Sequence, residues 1–139
     1  MSTDAPRPTH PPVASWATRR NVPQAGIRLC ALIDLPDDNG LELVFGEHEP
    51  KFRLMLFRQA DTVSAWINEC PHQKVPTNIW PDVFCLSDTD GTRHLVCEHH
   101  WAMFRLSDGL CVQGPCEGAW LTAVPVSLRD GGVFLGEMG

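Results

Sequence analysis

Two short stretches, "NECPHQ" at residues 68–73 and "CEHHW" at 97–101, constrain this chain more than anything else in it. Cys70 and His72 stand two apart; Cys97 and His100 stand three apart, with His99 as a second candidate in the same stretch. Each pair is close enough for one loop to present both side chains to a single metal site. Between His72 and Cys97 lie 24 residues, so a shared site requires two loops on neighbouring hairpins to face each other.

The rest of the chain fits such hairpins. Short apolar or alternating runs recur at 27–34, 51–58, 62–68, 82–87, 93–97, 102–106, 120–128 and 132–136. In "TVSAWIN", Val63, Ala65 and Ile67 fall on one side of a strand; in "KFRLMLFR", Phe52, Leu54 and Leu56 oppose Arg53 and Met55. Asn39-Gly40, Asp90-Gly91, Asp108-Gly109 and Asp130-Gly131 lie between runs and favour tight hairpin turns. No window of ten or more residues carries a clean helical period with a cap. The expected fold is all-β, a small antiparallel sandwich or barrel.

The first 25 residues are expected to be a flexible, proline-rich leader, with one domain over 26–139. Arg19-Arg20 is followed by "NVPQAGIRLC", which lacks the apolar region of an export signal, and no apolar run approaches 18 residues. A cytoplasmic protein with reduced cysteines is therefore expected, and its Cys/His clusters then point to metal. The formal charge of −6 argues against nucleic acid or an anionic membrane as a partner. Six acids and no base occur between Asp34 and Glu49: Asp34, Asp37, Asp38, Glu42, Glu47 and Glu49. That stretch reads as a solvated loop or as a docking patch for a basic partner face.

The two boxes together resemble the Rieske [2Fe–2S] family. "CPH" matches its first box and "CEHHWAMF" its second, with Phe104 as the aromatic four after the histidine. "DGLCVQGPC" carries Gly114-Pro115 where the family has a proline loop, and "VPV" and "GGVFL" are similar to its closing strands. The likeness runs from Asn68 to about Leu135. It implies one [2Fe–2S] cluster in a subdomain of two hairpin loops, about 68–118. Cys70 and Cys97 would hold one iron, and His72 and His100 the other, leaving His99 outside the set. It also implies a soluble one-electron carrier between a reductase and a terminal oxygenase or other redox enzyme. A second possibility is the Rieske-like small subunit of an enzyme such as nitrite reductase. By ligand type alone Cys₂His₂ also suits zinc, although each box here mixes the two ligand types, unlike a zinc finger.

The chain departs from the family pattern in its longer inter-box linker and in Trp101, which stands where many members have glycine. High-potential relatives carry an extra cysteine in each box; here Val75 or its neighbours and His99 occupy those positions. There is no tyrosine to donate a hydrogen bond to the cluster. A potential near the low end of the Rieske range, about −150 mV, is expected.

Other residues have plainer readings. Cys30 and Cys85 are expected as buried packing residues, and Cys111 and Cys116 as packing residues or a redox pair. Asp90, His94 and His99 imitate an acid-plus-two-histidine iron centre, but that centre belongs to a larger catalytic domain; His94 is expected to cap a strand. Trp66, Trp80 and Trp120 read as core. His10 and His48 need no role.

Overall fold

A computed structural model describes residues 15–37, 39–71, 76–78, 84–89, 91–98 and 101–136. Among these, ten strands and two short 3-10 turns form the regular structure. β1 (Arg28–Ala31), β10 (Gly132–Leu135) and β9 (Val126–Arg129) make one antiparallel sheet in that order. β2 (Gly40–Phe45), β3 (Phe52–Gln59) and β4 (Thr62–Ile67) make a second; β5 (Cys85–Thr89), β6 (Thr92–Val96), β7 (Met103–Arg105) and β8 (Cys111–Gln113) make a third. The all-β antiparallel expectation holds.

The central strand β3 explains how three small sheets share one domain. Phe52, Leu54 and Leu56 point into a core with Ala65, Ile67, Val124, Val133 and Leu135. Met55 and Phe57 point the other way, into a second core with Trp66, Leu95, Phe104, Leu106 and Leu121. A strand apolar on both faces belongs between layers, and the Arg53/Met55 side is therefore not a solvent face: Met55 is fully buried. Ile67 N donates to Thr122 O and Val124 N to Ala65 O, both at 2.9 Å, so the chain leading into β9 runs along the free edge of β4.

Several expected elements shift. The acidic stretch is not all loop, because β2 crosses it and pairs with β3 from Gly40↔Phe57 to Phe45↔Phe52. Asn39-Gly40 makes no hairpin. Asn39 Oδ1 accepts from Phe84 N (2.9 Å), and a Cβ on Gly40 would lie 2.5 Å from the Phe57 ring. Asp130-Gly131 does turn a two-residue hairpin, with φ of 50° and 72° beside the Arg129↔Gly132 pair. Ala60-Asp61 turns another, with Ala60 at φ 55°.

Residues 1–14 of the expected leader lie outside the described residues. The remainder is packed onto the domain: Trp16 and Val22 touch the core beside β3, and Arg19 pairs with Glu69 at 3.3 Å. Asn21 Nδ2 donates to the carbonyls of His48 (3.1 Å) and Pro50 (2.9 Å).

Candidate metal centre

The first box follows β4. Asn68 leaves the strand with its N–H on Arg53 O (2.8 Å) and its side chain buried. Its Oδ1 accepts from both the N–H and the hydroxyl of Thr77, each at 2.8 Å. Its Nδ2 donates to Asn78 Oδ1 (2.8 Å) and to Glu42 Oε2 (2.7 Å). A single amide thus uses both ends to hold the far side of the first box, residues 77–78, against the strand before it. Thr77 O then accepts from Glu98 N (2.8 Å), which ties the first box to the second.

The second box follows β6 and is a closed turn. Cys97 N donates to Ala102 O, and Trp101 N to Cys97 O, both at 2.7 Å. Trp101 takes φ 60°, a left-handed conformation that is costly for a bulky side chain. Glycine would take this conformation without that cost. The indole is 64% exposed.

A third loop closes the group. Gly114 has φ 108°, and a Cβ there would sit 2.7 Å from Ala102 Cα. The Gly-Pro loop therefore lies directly against the second box. Cys116 Sγ is 3.2 Å from Cys111 Sγ. Burial first, then the Cys111 and Cys70 sulfurs, push the Cys116 thiol far above the ordinary thiol range.

Cys70 and Cys97 are 2% and 1% exposed and belong to one core cluster with Ala102, Cys111 and Leu121. Neither is in a disulfide. Two buried sulfurs outside any disulfide, on the loops that follow β4 and β6, have the chemistry of a soft thiolate site, so this half of the donor set fits the expected cluster. His72, His99 and His100 lie outside the described residues, as do Trp80, Val75 and Asp90. Among the described residues no three potential ligands converge on one point.

Other expectations are corrected. His94 caps nothing; it sits inside β6, buried, between Ser87 and Arg105 on the neighbouring strands, with no hydrogen-bond partner for Nδ1. Cys30 and Cys85 are half-buried rather than buried, and burial raises the Cys30 thiol. Trp66 is core, while Trp120 is half-buried. The network of Asn68, Thr77, Asn78 and Glu42 was not foreseen, since its members are far apart in sequence and form no motif.

A family model described as "Rieske [2Fe-2S] domain" matches residues 27–127. Solved structures are similar in fold. The ferredoxin of carbazole 1,9a-dioxygenase from Nocardioides aromaticivorans IC177 is 20% identical, with TM-score 0.60, covering 83% of this chain and 100% of that one. A putative NADH-dependent nitrite reductase small subunit from Mycobacterium tuberculosis is 19% identical, with TM-score 0.62, covering 85% and 99%. In a reduced complex between oxygenase and ferredoxin of carbazole 1,9a-dioxygenase, the matching chain is 16% identical, with TM-score 0.63, covering 80% of this chain and 28% of that one. No curated protein matches closely enough to be called a relative.

Proposed function

The chain belongs to the Rieske [2Fe–2S] domain family, whose cofactor is a [2Fe–2S] cluster, and from that premise we propose that it is a one-electron carrier. It would take electrons from a reductase and pass them to a terminal oxygenase or another redox enzyme, in the cytoplasm. The observation that carries this reading is the pair of buried thiols outside any disulfide, Cys70 and Cys97, on two loops that the Thr77–Glu98 hydrogen bond joins. In this proposal Cys70 and Cys97 hold one iron as thiolates and His72 and His100 hold the other as imidazoles. When bound, the cluster supplies one reversible electron. The chain's own part is to hold two sulfurs rigidly in a dry core and to close the second box through the Cys97–Trp101 turn.

A second reading, the small subunit of an oxidoreductase such as nitrite reductase, is favoured by the likeness to the Mycobacterium tuberculosis subunit. Both readings need a loaded cluster; they differ in whether the chain copurifies with a large partner. No helix among the described residues is long and apolar enough to cross a membrane.

The cluster test comes first. Purified protein should hold about two irons and two acid-labile sulfides per chain, and it should be red-brown. One zinc without sulfide would refute the reading. Cys70→Ser, Cys97→Ser, His72→Ala and His100→Ala should lose the cluster, and His99→Ala should keep it. Bleaching by His99→Ala with retention in His100→Ala would overturn the ligand assignment.

A further inference from the structure

Cys111 and Cys116 have no place among the four proposed ligands, yet the fold holds their sulfurs 3.2 Å apart, with Cys116 donating to Cys111. The two ends of the pair are anchored differently. Cys111 begins β8, stands opposite Phe104 of β7 and is 1% exposed. Cys116 is half-buried in the loop beyond, between exposed Pro115 and Glu117. Four backbone hydrogen bonds close that loop. Cys111 N donates to Ala119 O (2.8 Å), Gly118 N to Cys111 O (2.9 Å), Ala119 N to Cys116 O (2.8 Å) and Glu117 N to Gly114 O (3.1 Å). The backbone thus sets where both side chains start, and the sulfur contact is a feature of the loop. Neither thiol is in a disulfide. A bond of about 2.0 Å requires the sulfurs to close by only about 1.2 Å, within reach of side-chain rotation.

We infer that Cys111 and Cys116 are a reversible disulfide site, formed by exchange with a low-molecular-weight disulfide, and that the bond clamps the loop to β8. The Cys116 sulfur, the more accessible of the two, attacks the small disulfide as a thiolate. The S–S bond of the small molecule breaks, a mixed disulfide forms on Cys116 and one small thiol leaves. Cys111 gives its proton to solvent, attacks the Cys116 sulfur and expels the second small thiol. Two protein thiols are oxidised and one small disulfide is reduced to two thiols, so electrons and protons balance. Burial first, then the Cys111 sulfur, push the Cys116 thiol above its ordinary range, so the exchange is slow at neutral pH and faster in alkali. Gly114 lies inside the ring that the bond would close, and it packs on Ala102 of the second box, so the clamp stiffens that contact too. The site uses none of the proposed cluster ligands and stands whether or not that ligand assignment does.

The test uses the full-length protein as purified, incubated with glutathione disulfide in mild alkali. Acid quench, alkylation of the remaining thiols and peptide mapping by mass follow. Wild type should lose two alkylatable thiols, joined as a 111–116 disulfide, and dithiothreitol should restore both. Cys111→Ala should instead hold glutathione on Cys116, because no second sulfur resolves the mixed disulfide. Cys116→Ala should leave the buried Cys111 unmodified. Amide hydrogen exchange within 111–119 should be at least about twofold slower in the oxidised protein than in the reduced one, because the bond limits opening of the loop. Retention of both thiols in wild type after prolonged incubation would overturn the inference and mark the contact as packing. A disulfide that joins either cysteine to any other residue would overturn it as well. Equal exchange rates in the oxidised and reduced proteins would overturn the clamp.

Discussion

Asn68→Ala is expected to cost more than any other single surface-neutral change near the proposed centre. Asn68 is 2% exposed, and its amide makes four hydrogen bonds of 2.7–2.8 Å. Alanine leaves the Thr77 N–H without an acceptor in a site that is 0% exposed. It also removes a charge-assisted bond from Glu42, whose side chain is 8% exposed and whose nearest cation, Arg53, is 3.9 Å away. An orphaned buried donor costs about 1–3 kcal/mol, and a bond to a charged group is worth about 1.5–3 kcal/mol. The Thr77 hydroxyl keeps only a weak 3.8 Å contact with Met55 Sδ. A loss of about 3–5 kcal/mol follows, read from urea unfolding of the holoprotein with the slope unchanged. Because Thr77 O also anchors Glu98 N, the same variant should release iron faster than wild type. Asn68→Asp keeps the shape but removes both donors and sets a second carboxylate against Glu42. Burial and that like charge would raise the new carboxyl above its unfolded value of about 3.9, so the charged form is penalised only in the fold. The penalty should be absent below that unfolded value and should grow as pH rises through the raised folded one. A loss under about 1 kcal/mol for Asn68→Ala would mean that water replaces the amide, and would refute the reasoning.

Gly114→Ala forces a Cβ to within 2.7 Å of Ala102 Cα at φ 108° and should cost roughly 1–3 kcal/mol in unfolding experiments, with weaker cluster retention. The Arg105 guanidinium beside Asp108 holds that carboxyl below the usual range, against the opposing effect of burial, with help from Leu110 N at 3.2 Å. Its stabilisation is therefore present above the unfolded carboxyl value and lost as pH falls through the lower folded one; Asp108→Asn should flatten that acid limb and cost no more than about 1 kcal/mol at pH 7. Exposed Asp34, Asp37, Glu47 and Glu49 are proposed to meet a basic partner face, so electron transfer should slow as salt rises past about 0.1 M. Rates indifferent to salt with the physiological partner would remove that patch.

Glu42 leaves the docking set for the same reason that β2 escaped a reading by charge. "GLELVF" alternates Leu41, Leu43 and Phe45 with Glu42 and Val44, so the strand period was present, but the surrounding acids outweighed it. Glu42 turns inward to accept from Asn68, 26 residues away, and no local pattern announces that bond. Asn39-Gly40 misled in the opposite direction. Its amide and its missing Cβ serve Phe84 and Phe57, whereas Ala60-Asp61 turns a real hairpin without glycine. The two Cys/His boxes stand out in the sequence because a metal site of the proposed kind would demand particular atoms from one short loop, which leaves a recognisable spacing.

What holds those loops obeys no such rule. A buried hydrogen bond requires only that a donor and an acceptor meet, and the chain may bring them from any separation that the fold permits. Asn68 draws on residues 26, 9 and 10 positions away, and Glu98 reaches back to Thr77. Cys116 shows the consequence most sharply. Its spacing of five from Cys111 reads equally as packing or as a redox pair. Only the closed 111–119 loop brings its sulfur to 3.2 Å from Cys111 and lays that loop against Ala102. The proposed ligands are thus written as motifs and their support as topology. A chain could keep both Cys/His pairs intact and still loosen the loops that carry them through a residue, such as Thr77, that neither pair contains.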